Sequence, residues 1–142
     1  PHGDDLSTLP AGNERILIVD DEPSIVMILK ESLEFLGYQV TQETDSLKAL
    51  ARFTASPDDF DLVSTDLTMP NLTGDELASK IMTQRPGLPV ILCTGFSRKM
   101  SEEKAMAMGI KAFIYKPIVL KDLAKLLRRI LETSGQVPTG TP

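Results

Sequence analysis

Residues 15–22 read Arg-Ile-Leu-Ile-Val-Asp-Asp-Glu, a short apolar strand pattern that ends in two acids. The pattern of an apolar strand with a polar end recurs in residues 60–66, 88–94 and 111–116. In an open parallel sheet, ligand sites lie beyond the carboxyl ends of the strands. The four segments therefore predict that three carboxylates, one hydroxyl and one ammonium group meet at one edge. Such a set suits a divalent cation and a phosphoryl group.

Helical patterns separate the strands, and residues 38–41 add a second, short strand. Pro23 suits a first helical turn, Gly37 ends that helix, and Asp45 is the predicted cap of the next one. Five strands alternating with five helices predict a doubly wound α/β fold, with a parallel sheet covered on both faces. In the second helix, the spacing places Leu47, Leu50 and Phe53 on one buried face. The helix near residues 101–108 has only a thin apolar face, formed by Met100, Ala105 and Met108. In the last helix, the charged side chains point mostly outward: Lys121, Lys125, Arg128 and Arg129.

The composition of the 142 residues is that of one globular domain. We interpret residues 1–13 as a flexible lead-in, 14–133 as the folded domain and 134–142 as a flexible tail or linker. A net charge of −5 argues against direct nucleic-acid binding, and no apolar run is long enough to span a membrane. The single cysteine, Cys93, lies in an apolar strand, which favours a cytoplasmic location.

The acidic residues each allow two interpretations. Asp20 and Asp21 either cap the helix that follows or hold a cation, because adjacent acids repel each other unless a cation lies between them. Asp66 is either a turn residue ahead of Met69 and Pro70 or a third carboxylate. In the second case it suits Mg²⁺, which prefers oxygen ligands, and it is also a potential nucleophile that forms an aspartyl phosphate.

Thr94 and Lys116 supply the hydroxyl and the ammonium group. The Thr94 hydroxyl could hydrogen-bond a phosphoryl oxygen, and Gly95 would let the backbone approach a ligand. Lys116 ends an apolar strand, where burial without a partner is costly, and a lysine binds phosphate as a point charge. The alternative is an edge lysine that reaches water. Pro117 permits a cis bond after Lys116.

Together these residues resemble the receiver domain of two-component response regulators. The resemblance covers residues 14–133 and implies a flavodoxin-like strand order of 2-1-3-4-5. The strings that carry it are Ile-Leu-Ile-Val-Asp20-Asp21-Glu22, Asp66-Leu-Thr-Met-Pro70-Asn-Leu-Thr-Gly74, Thr94-Gly95 and Lys116-Pro117.

The resemblance implies a phosphorelay function. Asp66 would accept a phosphoryl group from the phosphohistidine of a sensor histidine kinase or a histidine phosphotransfer protein. Asp21, Asp66 and the backbone carbonyl of Thr68 would bind Mg²⁺ (or Mn²⁺) directly, with Asp20 acting through water, and Lys116 would pair with Asp66. Such a domain is not an enzyme by itself, although it catalyses its own phosphorylation and dephosphorylation.

The resemblance also implies a switch. The phosphoryl group would draw the Thr94 hydroxyl inward, and the aromatic side chain of Phe113 would rotate into the vacated space. The surface of helix 4, strand 5 and helix 5 would change, and a downstream protein would recognise it. Thr68 and Phe96 would flank the entrance and tune the lifetime of the phosphoaspartate.

Several alternatives remain open from the sequence. The domain is either a stand-alone regulator or a receiver cut from a hybrid histidine kinase; the strings Asp66-Leu-Thr-Met-Pro70 and Cys93-Thr-Gly-Phe96, and a start without Met, favour the latter. A degenerate receiver used only for docking is a second class. A haloacid-dehalogenase-like phosphohydrolase is a third, but it needs an acid where Thr68 stands. Receivers of this kind are monomers or weak homodimers.

Overall fold

The structure is a computed structural model and describes residues 8–95 and 101–135. Within these residues, five strands alternate with five α-helices. In chain order the elements are β1 (Arg15–Val19), α1 (Pro23–Phe35), β2 (Gln39–Glu43), α2 (Ser46–Ala55), a 3₁₀ turn (Pro57–Asp59), β3 (Leu62–Asp66), α3 (Gly74–Gln84), β4 (Val90–Thr94), α4 (Glu102–Met108), β5 (Ala112–Tyr115) and α5 (Leu120–Gly135). All strand pairs are parallel, and their order is β2-β1-β3-β4-β5. The predicted doubly wound fold is confirmed.

The core lies on both faces of the sheet, because successive side chains of a strand point to opposite faces. Strands β3 and β4 are buried along their whole length. Leu17, Val63 and Leu92 belong to the cluster on one face, which also includes buried residues of α2, α3 and α4. Ile16, Leu62 and Ile91 belong to the other cluster, with buried residues of α1 and α5. The helices thus cover both faces of the sheet.

Helix α2 buries a different stripe from the predicted one. Ser46, Ala49 and Phe53 are buried, whereas Leu47 is 51% exposed, so its predicted inward position was wrong. The reason is geometric: Leu47 lies about 100° around the helix from Ser46, and the stripe that starts at Ser46 contains Ala49 and Phe53. The predicted cap is present, since Asp45 accepts the amides of Leu47 and Lys48.

Helix α4 is short and buries little. Ala105 is buried, but Met106 and Met108 are exposed, so Met108 was wrongly assigned to the apolar face. Met108 is the last residue of the helix and is followed by Gly109, which ends α4 with φ of 105°. Met100 lies outside the described residues.

The two ends of the described chain pack against the domain. Leu9 is buried, and the Gly12 amide donates to the Leu36 carbonyl at 3.0 Å. Arg128 was predicted to point outward, but its side chain is only 18% exposed and donates to both carboxylate oxygens of Glu14, at 2.7 and 3.0 Å. It also donates to the Tyr38 hydroxyl at 3.2 Å. The ion pair explains why this charged side chain is drawn inward.

None of the helices described in residues 8–95 and 101–135 is both long and apolar enough to cross a bilayer.

Candidate functional site

The strand ends bring the predicted residues to one edge of the sheet. Asp20 directly follows β1, Asp66 and Thr94 are the last residues of β3 and β4, and Lys116 directly follows β5. These four strands are neighbours in the sheet, and they run in the same direction. Their carboxyl ends therefore line a common rim, although the residues are distant in sequence.

Three carboxylates converge at this rim. Asp20, Asp21 and Asp66 each offer an oxygen atom within 4.8 Å of the others. Asp20 and Asp66 are buried, whereas Asp21 is exposed. An all-oxygen donor set of this charge suits a hard divalent cation such as Mg²⁺. The residues present therefore fit the metal that the sequence resemblance implies.

Lys116 bridges two of the three acids. Its Nζ atom lies 2.8 Å from Oδ2 of Asp20 and 2.9 Å from Oδ1 of Asp66. Burial alone would lower the pKa of Lys116, but the hydrogen bonds to the two carboxylates outweigh burial and raise it. Lys116 therefore remains a fixed positive charge at the site.

The charge of Asp66 is under-compensated. Burial raises the pKa of the Asp66 carboxyl above its usual value, and the charges of Asp20 and Asp21 raise it further, against the opposing hydrogen bond from Lys116. Burial is the largest of these causes, and by geometry one ammonium group faces three clustered carboxylates. An additional positive charge at this rim would relieve the imbalance.

The two carboxylate oxygens of Asp20 have different partners. Its Oδ1 accepts the Glu22 amide at 3.0 Å just before α1, while Oδ2 accepts Lys116. Glu22 is the N-cap residue itself and makes no side-chain capping bond, and Pro23 occupies the first turn. The predicted capping role of Asp20 is therefore wrong: one oxygen makes a local turn contact before α1, and the other belongs to the acid cluster.

Thr94 and Lys116 are joined through the backbone. The Lys116 amide donates to the Thr94 carbonyl at 2.8 Å, and Thr94 is buried. The Lys116–Pro117 peptide bond is cis. The hydrogen bond from Lys116 to Thr94 holds the ends of β4 and β5 side by side at the rim.

Of the remaining predicted residues, the structure describes Thr68 and Phe113, which differ in burial. Thr68 is exposed, two residues beyond Asp66. Phe113 is 8% exposed and packs edge-on against Tyr115, with ring centroids 5.3 Å apart. Phe96 lies outside the described residues.

Two contacts hold the loop between Asp66 and α3, and only one of them involves a residue that the sequence had singled out. The Gly74 amide donates to the Leu67 carbonyl at 2.7 Å, and a Cβ at Gly74 would collide with the Asp66 carbonyl oxygen. Gly74 was part of the string that carried the resemblance. The hydroxyl of Ser46 donates to the Pro70 carbonyl at 3.1 Å. Sequence reasoning missed Ser46, because a serine after a capping aspartate is ordinary in a first helical turn.

Fold and site together define a doubly wound α/β domain with an acidic centre and a lysine at its carboxyl edge. The chain belongs to the response regulator receiver domain family, whose model matches residues 16–128.

Relatives of this chain occur as small proteins and as parts of large ones. The chemotaxis protein CheY-3 of Vibrio cholerae is 35% identical over 123 residues, which are 84% of this chain and 93% of that protein. The sensor protein EvgS of Escherichia coli K12 is 34% identical over 123 residues, which are 87% of this chain but 10% of EvgS. The chain thus spans about a tenth of EvgS, and it covers 50% of the regulatory protein PhoP of Bacillus subtilis at 30% identity.

Solved structures share the fold. A response regulator receiver domain protein from Clostridium thermocellum superposes with a TM-score of 0.80 at 30% identity, covering 84% of this chain and 95% of that one. The response regulator TrrA from Thermotoga maritima, solved in complex with Mg²⁺-BeF, has a TM-score of 0.73 at 31% identity, covering 82% of this chain and 98% of TrrA.

Proposed function

We propose that this domain accepts a phosphoryl group on Asp66 from a phosphohistidine in a two-component pathway. The observation that carries the proposal is the double contact of Lys116 with Asp66 and Asp20, beside the third acid Asp21. The membership of the chain in the receiver family supports the same chemistry. In this reaction an oxygen of Asp66 bonds to phosphorus while the bond between phosphorus and the histidine nitrogen breaks, and the imidazole leaves.

The acid cluster would hold Mg²⁺ (or Mn²⁺) through Asp21, Asp66 and the backbone carbonyl of Thr68, with Asp20 contributing through water. The bound cation would neutralise charge on the entering phosphoryl group. The charge imbalance around Asp66 and the Mg²⁺-BeF complex of TrrA support this assignment. Phosphoryl transfer depends on positioning and charge neutralisation more than on covalent assistance, so the domain would provide most of its own catalysis.

Lys116 would exchange one of its two partners in this reaction. Before transfer its ammonium group pairs with Asp66 and Asp20. After transfer an oxygen of the new phosphoryl group would replace the Asp66 oxygen, because it is the stronger acceptor. Asp20 would retain its contact, and this would keep the ammonium group aimed at the site.

The switch would start at Thr94 and end at Phe113. Thr94 is the last residue of β4, and the neighbouring strand β5 carries Phe113. Movement of the Thr94 hydroxyl toward the phosphoryl group would let the Phe113 ring change its rotamer, which would repack the surface of α4, β5 and α5. The small buried area of α4 supports its role as the element that shifts. Phe113 has no hydroxyl, so the rotated ring would gain no hydrogen bond of its own.

The direct partners would be a sensor histidine kinase or a histidine phosphotransfer protein in the cytoplasm, followed by a downstream protein. EvgS and CheY-3 are almost equally similar to this chain, and they differ greatly in length. The proposed chemistry is the same for a receiver within a hybrid kinase and for a stand-alone regulator.

Intact mass spectrometry tests the proposal. The domain is incubated with acetyl phosphate, with Mg²⁺ or with EDTA, beside the variant Asp66→Asn, which keeps the side-chain shape. We expect a gain of one phosphoryl group that requires both Mg²⁺ and Asp66. An adduct that persists in Asp66→Asn would place the acceptor elsewhere. A wild type that gains no phosphoryl group, even when its phosphorylated partner kinase is the donor, would favour a docking module.

A further inference from the structure

The junction between β2 and α2 contacts both sides of the acid cluster. The backbone carbonyl of Glu43, the last residue of β2, accepts the Asp20 amide at 3.2 Å. Three residues later, the hydroxyl of Ser46, the first residue of α2, donates to the Pro70 carbonyl at 3.1 Å. One short segment is thereby tied to the acidic loop after β1 and to the loop after Asp66.

Ser46 is well held for such a contact. It is 3% exposed and begins α2, whose first amides are capped by Asp45. Ala49 and Phe53 anchor the same helix in the core. A hydroxyl on a capped and packed first turn has little freedom, so its hydrogen bond defines a position rather than following the loop.

The loop after Asp66 is held by backbone hydrogen bonds at its ends and by core packing and a local hydrogen bond in its middle. The Leu67 amide donates to the Cys93 carbonyl at 2.8 Å, and the Gly74 amide closes the far end on Leu67. Between these points Pro70 is exposed, but its neighbours Met69 and Leu72 are buried in the core, and the Leu72 amide donates to the Pro70 carbonyl at 2.8 Å. The bond from Ser46 reaches this middle part from a separate element. In the chain, Thr68 lies between Leu67, whose amide is bonded to Cys93, and Pro70, whose carbonyl accepts the Ser46 hydroxyl.

We propose that Ser46 is a positioning residue for the divalent cation. It touches neither the cation nor the phosphoryl group. Through Pro70 it sets where the Thr68 carbonyl lies relative to Asp20, whose backbone is tied to the same junction. This inference rests on the proposed function, since it assumes that the acid cluster binds the cation.

The test compares Ser46→Ala with the wild type in two measurements. Binding of Mn²⁺ is titrated by electron paramagnetic resonance without any phosphodonor, and the initial rate of phosphorylation by acetyl phosphate is measured against Mg²⁺ concentration. Loss of a residue that orients a ligand weakens metal binding, and for this indirect tether we expect about a 3- to 10-fold higher Kd. The Mg²⁺ concentration at half-maximal rate should rise by the same factor, while the rate at saturating Mg²⁺ changes little.

Ala49→Gly is the matched control. Ala49 lies in the same helix and is buried, and its replacement by glycine lowers stability while the Ser46 hydroxyl that donates to Pro70 is kept. We expect its Kd for Mn²⁺ to equal that of the wild type, because a merely structural weakening of α2 does not move the loop. If Ser46→Ala fails to fold, Ser46→Cys takes its place, since a thiol keeps the bulk and is a weaker donor.

The outcomes separate this inference from the proposed function. Wild-type affinity for Mn²⁺ in Ser46→Ala, or an equal loss in Ala49→Gly, would overturn the positioning role and leave phosphorylation of Asp66 intact. A wild-type domain that binds no Mn²⁺ and gains no phosphoryl group would overturn both.

Discussion

Replacing Asp66 by Asn should make the metal-free domain more stable. The wild type holds three carboxylates within 4.8 Å of one another around one ammonium group. At an effective dielectric constant near 20, each like-charge pair at this separation is destabilising by about 3–4 kcal/mol. The close pair of Lys116 and Asp66 is stabilising by about 5–6 kcal/mol. Asp66 takes part in two repulsions and one attraction, and its burial adds a desolvation cost. We therefore expect Asp66→Asn to raise the free energy of unfolding by about 1–3 kcal/mol.

Urea unfolding followed by far-ultraviolet circular dichroism at pH 7.5 in EDTA measures this difference. Asp58→Asn is the control, because it removes the same formal charge from an exposed position in the 3₁₀ turn. Its effect should stay within about 0.5 kcal/mol. Saturating Mg²⁺ should reduce the difference, since at 100 times its Kd it stabilises the wild type by about 2.7 kcal/mol and stabilises the variant, which lacks one ligand, by less. A variant no more stable than the wild type in EDTA would refute the argument, because Lys116 would then balance the cluster.

Three further predictions concern Lys116, Gly74 and Arg128. Lys116→Met should slow phosphorylation at saturating Mg²⁺ by about 10²-fold in the mass-spectrometric assay, because a fixed charge at the phosphoryl group is lost; an unchanged rate would exclude that role. Gly74→Ala places a Cβ against the Asp66 carbonyl and should lower the free energy of unfolding by urea by about 1–3 kcal/mol; an unchanged value would contradict the close contact. Arg128→Met should cost about 1–3 kcal/mol at pH 7. The hydrogen bond from Arg128 lowers the pKa of Glu14 in the folded state, so this stabilisation is present above the ordinary carboxyl pKa and disappears as the pH falls through the lowered value. Unfolding measured from pH 7 to pH 3 should show the two proteins converging, and a constant gap would contradict the assignment.

The sheet and the rim of the site were predictable because their signals are local. An apolar run that ends in a polar residue marks a strand end within seven residues, and the crossover rule then places every such end on one edge. Asp20, Asp66, Thr94 and Lys116 needed no knowledge of packing to be assigned to that edge. The helical faces were less certain, because several apolar stripes are possible on a helix as short as α2. Leu47 shows this: it has the right residue type but lies outside the stripe that meets the core.

The sequence alone was sufficient for the class of fold, the carboxyl-edge location of the site and the residue types there, since these depend on periodicity and strand direction. Tertiary packing was needed for the individual partners. Lys116 meets Asp20 across 96 residues of chain, and Arg128 meets Glu14 across 114. Ser46 reaches Pro70 only because α2 packs beside the loop after β3. A hydrogen bond requires two groups within about 3 Å, and neighbours in sequence carry no information about distances between such remote residues.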